Sequence, residues 1–136
     1  MNLRPCTYEE IQHFAKAAAK EGSAIKPKSC ECRYWGVWAD GKPVACAFAA
    51  LVSKTKVRLS GAYVLPAYRG KGLWRQLYDV RMAYARSQPG VVIVESFLRP
   101  STLPMYMRRG WTLRKSYTAT YHVTIGLGGT NERPLL

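Results

Sequence analysis

The stretch Val64-Leu65-Pro66-Ala67-Tyr68-Arg69-Gly70-Lys71-Gly72-Leu73 decides how the rest of the chain is read. Before it, Val57, Leu59 and Ala62 sit among Lys56, Arg58 and Ser60, so Lys56–Val64 alternates as a strand does. Pro66 stops that strand, because proline has no backbone N–H to give to a ladder. After the stretch, Leu73, Leu77, Val80 and Tyr84 recur at i, i+4, i+7 and i+11, one stripe of a helix. Arg75, Arg81 and Arg86 occupy the rest of that helix, and Ser87-Gln88-Pro89-Gly90 ends it. Strand, glycine bend and helix start, in that order, make an anion site. Exposed backbone N–H groups and the positive helix end converge on one point.

Upstream, the spacing predicts a short strand near Met1–Arg4 and a first helix capped by Thr7. Glu10 stands three residues on, the distance of a capping box, and Ile11, Phe14, Ala15 and Ala18 carry the helix to Glu21-Gly22. Ser23–Glu31 reads as a loop. Tyr34–Ala39 is aromatic and β-branched, and Asp40-Gly41 closes it as a hairpin. Val44–Ser53 is an almost unbroken apolar run, as in a strand covered on both faces. Downstream, Val91–Leu98 reads as a buried strand holding one carboxylate, Glu95. A short helix starts with Ser101 as its cap and stops at Gly110, with Pro104 in its first turn. Trp111–Tyr117 and Ala119–Ile125 read as a last strand pair. The expected fold is α/β in the mixed α+β sense. It is a central, mostly antiparallel sheet of six to seven strands, flanked by three to four helices. Residues 1–125 are expected to form one domain and residues 126–136 a flexible, glycine-rich tail.

Two familiar phosphate motifs fail at the bend. The Walker pattern needs a longer glycine spacing, and the dinucleotide fingerprint needs a third glycine where Arg75 stands. The stretch instead resembles the coenzyme A loop of the GCN5-related N-acetyltransferases, whose core is Gln/Arg-x-x-Gly-x-Gly/Ala. Arg69 and Gly72 match the first two fixed positions, while Trp74 stands where the family prefers Gly or Ala. Tyr106-Met107-Arg108-Arg109-Gly110-Trp111 is similar to the family's Tyr-x-Lys-x-Gly-Phe segment, with Arg99 where an Asn is usual seven residues earlier. The resemblance covers about residues 30–125 and implies an acyl-CoA N-acyltransferase-like fold with acetyl-coenzyme A as co-substrate.

It also implies roles. Backbone N–H groups of Gly70, Lys71, Gly72 and Leu73 would hold the pyrophosphate, with Arg69, Lys71 and Trp74 beside it. The backbone N–H near Val64 would hold the thioester carbonyl as an oxyanion site. Tyr106 would protonate the departing thiolate, since a phenol carries its proton at neutral pH. An amine acceptor is protonated at that pH, so a base is needed. Glu95 is the candidate, against the plainer expectation that it pairs with an arginine such as Arg99 or Arg108. Asp79 is placed to pair with Arg75, and His122 is a reserve base. Tyr34, Trp35 and Trp38 form an aromatic strand that could wall the acceptor pocket, although core packing explains such residues as readily.

Charge widens the question. The chain of 136 residues carries 21 Lys and Arg against 8 Asp and Glu, a net of +13. All but one of those excess charges fall after residue 40, where only Asp79, Glu95 and Glu132 are acidic. Such a field attracts anions and exceeds what one coenzyme needs. An acidic or nucleic-acid-linked amine acceptor is therefore expected about as readily as a plain small amine. The alternative is a catalytically inactive fold of this kind serving as a basic nucleic-acid-binding or interaction protein. Four cysteines are too few for a disulfide scaffold, and Cys30-Glu31-Cys32 lacks a second ligand pair, so no metal is expected. No apolar run approaches the ~18 residues of a membrane span, and no signal peptide is evident. A cytoplasmic monomer or homodimer, with no membrane partner, follows as the expectation.

Overall fold

Strand β3 (Lys42–Ser53) lies in the interior of the sheet, and its composition requires such a place. From Pro43 to Val52 it carries no charge, so neither face suits water. In the computed structural model, which describes residues 1–25 and 31–127, both faces are covered. Ala45, Ala47 and Ala49 enter one core cluster, while Cys46, Phe48 and Ala50 enter the other. Such alternation to opposite faces is the period of an extended chain.

β3 pairs antiparallel with β2 (Glu31–Ala39) and with β4 (Lys56–Val64), and β2 pairs with β1 (Asn2–Cys6). Asp40 and Gly41 both take positive φ, +50° and +76°, which is the twist a two-residue hairpin needs. After β4 the chain makes a 3-10 turn at Pro66–Tyr68 and enters α3 (Leu73–Ser87). It returns as β5 (Ile93–Leu98), crosses in α4 (Leu103–Met107), and ends in the hairpin of β6 (Thr112–Ser116) and β7 (Tyr121–Gly126). The seven strands form one sheet in the order β1-β2-β3-β4-β5-β7-β6, parallel only between β4 and β5. The mixed, mostly antiparallel expectation holds. Among the described residues, no helix is long and apolar enough to cross a membrane.

Several local expectations are corrected. The first helix is two short ones, α1 (Tyr8–Ile11) and α2 (Phe14–Lys20). The capping box forms, with Glu10 N–H donating to Thr7 Oγ1 and Thr7 N–H to Glu10 Oε1. The ladder then tightens where Ala15 N–H reaches Gln12 C=O, a three-residue bond that separates the two helices. Thr102, not Ser101, precedes α4, and its side chain makes no cap bond. β5 begins at Ile93 rather than Val91, because Val91 N–H is taken by Gln88 in the preceding turn. Cys30 and the tail beyond Leu127 lie outside the described residues. Gly126 ends β7, and Leu127 is buried, with its N–H donating to Val92 C=O.

α3 packs one apolar face on the sheet. Leu77 is fully buried in the same cluster as Val57, Leu59, Val94 and Val123. Truncating such a leucine to alanine costs about 2–5 kcal/mol. On the opposite face, Ile11, Phe14 and Ala18 of α1 and α2 close over Tyr34, Phe48 and Tyr63. β6 is different: all five of its residues are exposed, and Arg114 and Lys115 stand on this free edge, where charge discourages pairing with another chain.

Candidate functional site

The pairing of β4 with β5 is short. It runs from Lys56 opposite Ile93 to Leu59 opposite Ser96, and then the strands part. Ser96 Oγ donates to the Leu59 carbonyl at 2.9 Å, closing the last rung with a side chain. Beyond it, Ser60–Val64 has a partner on the β3 side only. The gap opens into a cleft of about 740 Å³ between β4, β5, α4 and the segment after α2.

Within that gap the β4 backbone faces inward. Leu65 N–H donates to Val44 C=O on β3, so the antiparallel alternation turns the N–H and C=O of Val64 the other way. The carbonyl shows it: Val64 C=O accepts from Arg69 Nε at 2.8 Å. Two residues earlier, Ala62 C=O accepts from Ser23 Oγ at 3.5 Å, so Ala62 is turned the same way. A bulge separates Ala62 from Ser60, with Gly61 at φ +62°. A Cβ on Gly61 would meet the Phe48 ring at 2.2 Å, so only glycine fits there.

The glycine bend closes the open end of the gap. Gly70 and Gly72 take φ +78° and +81°, the left-handed region that glycine enters without strain. Gly72 is also the N-cap of α3, and the first intrahelical bond runs from Gln76 N–H to its carbonyl. The N–H groups of Leu73, Trp74 and Arg75 therefore have no acceptor within the helix. Arg69, expected beside the phosphates, turns inward. Besides Val64 C=O it holds Glu21 Oε1 at 2.7 Å, so it braces the strand end. Trp74 stacks on Tyr78 at 5.4 Å between centroids, so its bulk lies along the helix and walls the cleft.

Tyr106 of α4 faces the cleft from below the bend. It is buried and held edge-on by Trp111 at 4.8 Å, Tyr78 at 5.5 Å and Trp74 at 5.7 Å. No hydrogen bond of its hydroxyl is found among the described residues. Glu95 is adjacent but engaged. Arg58 donates to Oε2 through Nε at 2.7 Å and its Nη2 lies 2.7 Å from the same oxygen, while His122 Nε2 and Lys56 Nζ lie 3.0 and 3.4 Å from Oε1. The parallel register puts Arg58 directly across from Glu95, which is why Arg58 pairs with it rather than Arg99 or Arg108. Burial alone would raise the Glu95 carboxyl, but the bonds from Arg58 and His122 outweigh it and hold the group below its ordinary range. Arg75 and Asp79 form no ion pair among the described residues.

The structure brings Val64, Arg69, Trp74 and Tyr106 to one cleft, and does not bring Tyr34, Trp35 and Trp38 there. Tyr34 and Trp35 are buried on opposite faces, against Phe48 and Tyr84, and Trp38 lies under the Arg4 guanidinium at 3.7 Å. Residues not foreseen take part instead. Glu21 lines the cleft, and its backbone carbonyl accepts from Arg99 Nη1. Arg58, Arg81 and Arg99 line it as well. The helix break and the bulge that place these groups have no signature in the sequence.

A splayed β4–β5 pair above a glycine-capped helix, on this strand order, is the architecture of acyl-CoA N-acyltransferases. The chain belongs to the acetyltransferase (GNAT) family, whose model matches residues 2–111. Solved structures agree in fold. A Klebsiella pneumoniae protein, itself only provisionally assigned as an acyl-CoA N-acyltransferase, is 15% identical. It superposes with a TM-score of 0.77 over 93% of this chain and 97% of that one. Arabidopsis thaliana NAA60, in complex with a bisubstrate analogue, gives 0.76 at 12% identity over 95% and 99%. The PaiA N-acetyltransferase of Thermoplasma acidophilum, in complex with coenzyme A, gives 0.70 at 12% identity over 93% and 99%. No curated protein matches the chain by sequence.

Proposed function

We propose that the chain transfers an acetyl group from acetyl-coenzyme A to a primary amine by direct attack. The observation that carries this reading is the inward-facing backbone of Ala62 and Val64 in a gap roofed by the glycine bend. Donors fixed in the backbone cost no reorganisation when charge develops on a carbonyl oxygen, and losing one typically costs ~100-fold in rate. The bend of Gly70, Lys71, Gly72 and Leu73 takes the pyrophosphate, and the arm of the coenzyme runs down the gap past Val64. The thioester carbonyl rests on the deeper N–H, that of Ala62. Attack forms the C–N bond and expels the thiolate, which takes its proton from Tyr106.

The amine's proton needs an acceptor. Glu95, expected for this role, is bound to the two cations Arg58 and Lys56 and to the His122 ring, and serves better to hold Arg58 at the rim. Glu21 is the carboxylate that lines the cleft, paired with the brace Arg69, and it takes the role in this reading. Arg58, Arg69 and Arg99 against this single carboxylate also favour an acceptor that carries negative charge. Calorimetric titration with acetyl-coenzyme A tests the reading directly. Micromolar binding, weakened by Lys71→Glu, is expected. No heat at high protein concentration overturns it and leaves the basic binding protein as the surviving alternative.

A further inference from the structure

One cation in the cleft is unlike the others. Arg81 of α3 is 1% exposed, the largest of the fully buried side chains. Its Nε donates to Leu77 C=O at 3.0 Å and its Nη1 to Ser60 C=O at 3.3 Å. Its Nη2 is buried and has no hydrogen-bond partner among the described residues. Arg58 and Arg69 each meet a carboxylate, whereas among the described residues no carboxylate pairs with Arg81. The nearby Cys46 thiol supplies no counter-charge, because burial pushes it up to about 12 and keeps it neutral. A guanidinium held out of water without an anion is costly to fold around. A helix that needed only a cross-link to β4 could make it with a neutral donor.

Its place along β4 says what the anion belongs to. The arm of a bound coenzyme descends from the bend, past Val64 and then Ala62. Ser60, whose carbonyl Arg81 holds, lines the same cleft two residues before Ala62, across the Gly61 bulge. This is the end where β4 and β5 close together at Leu59 and Ser96. Nothing of an acceptor entering near Glu21 and Arg99 needs to reach it. The far end of the donor's acyl group does, if that group is longer than acetyl.

We propose that Arg81 binds a carboxylate at the distal end of the acyl chain, so that the preferred donor is the coenzyme A monothioester of a four- or five-carbon dicarboxylic acid. This rests on the acyl-transfer reading and replaces acetyl with a longer, charged acyl group as its preferred cargo. The reaction keeps the same balance. The amine nitrogen attacks the thioester carbon, C–N forms, C–S breaks, the amine proton leaves to the base and the thiolate is protonated. The distal carboxylate stays ionised on Arg81 throughout and leaves with the product amide.

The test compares binding of three donors by calorimetry: acetyl-, butyryl- and succinyl-coenzyme A. Butyryl and succinyl have the same chain length and differ in the terminal carboxylate. Succinyl-coenzyme A should bind the unaltered protein about tenfold or more tighter than butyryl-coenzyme A, the worth of a hydrogen bond to a charged group. Arg81→Gln should erase that preference, and Arg81→Lys should keep part of it. Equal affinity for succinyl- and butyryl-coenzyme A overturns the proposal while leaving acyl transfer standing. Failure of all three donors to bind removes both. If the variants do not fold, the comparison in the unaltered protein decides alone.

Discussion

The two halves of β4 are built from similar residues and do different work. From Lys56 to Leu59 the strand has partners on both sides, and its charged side chains are matched, Arg58 and Lys56 meeting Glu95. From Ser60 to Val64 one side is open, and the nearby buried cation, Arg81, is unmatched. A backbone fully paired with backbone offers nothing to a ligand, since its donors and acceptors are spent. The lesson is that a site begins where the ladder ends. Cations that share an anion hold the closed half together, and a cation without one in the open half leaves a vacancy for chemistry.

That contrast can be broken at either half. The largest effect is expected in the open half. Tyr106→Phe removes the proposed proton donor while keeping the aromatic packing with Trp74, Tyr78 and Trp111. It should lower kcat by about 100-fold or more with little change in melting temperature. Loss of stability in place of rate would make the tyrosine a packing residue. Next comes the closed half, where Glu95→Gln strands Arg58 and Lys56 without their anion. The cost should be about 2–3 kcal/mol in urea unfolding, discounted because both cations are partly exposed. The same change has a pH signature. The folded Glu95 carboxyl lies below its ordinary value of 4.5, so its contribution is present above that pH and fades as pH falls further. Glu95→Gln should therefore flatten the acid limb of the stability profile below about pH 4.5 and leave the neutral region's slope unchanged.

Gly72→Ala sharpens the contrast at the bend. A Cβ there meets nothing within 4 Å, so the whole cost is the left-handed φ, about 1–2 kcal/mol. Acetyl-coenzyme A affinity should fall by roughly tenfold as the N–H groups reorient. Ser96→Ala uncaps the Leu59 carbonyl at the boundary between the halves, and about 1 kcal/mol should be lost. Smallest of all, Lys115→Ala on the exposed edge should move stability by less than about 0.5 kcal/mol.

Much of this was legible in the residues. The bounds of β4 and the helical stripe of α3 follow from periodicity, and the bend follows from Gly70 and Gly72. Each of these signals is local, because it depends on which residues can adopt which backbone. Arg81 was not legible. Its position, four after Leu77 and three before Tyr84, puts it on the buried face of α3 and away from Arg75 and Arg86. An arginine reads as polar wherever it stands, however, and burying it takes a gap in the sheet that no local pattern reports. Glu21 escaped for the same reason, since it ends a helix whose break sets where it points. Glu95 was rightly seen as a carboxylate needing company, but its partner was fixed by the register of a parallel pair some 37 residues apart in sequence.

The short β4–β5 ladder has one more consequence, for the mechanics of the molecule. Four residue pairs join a four-stranded sheet to a three-stranded one, so the chain is two sheets sewn along a brief seam. A ligand lodged above that seam touches both sheets and acts as a further stitch. Occupancy should then be readable as a rise in melting temperature and as slower amide exchange at Leu59 and Ser96, without any turnover at all.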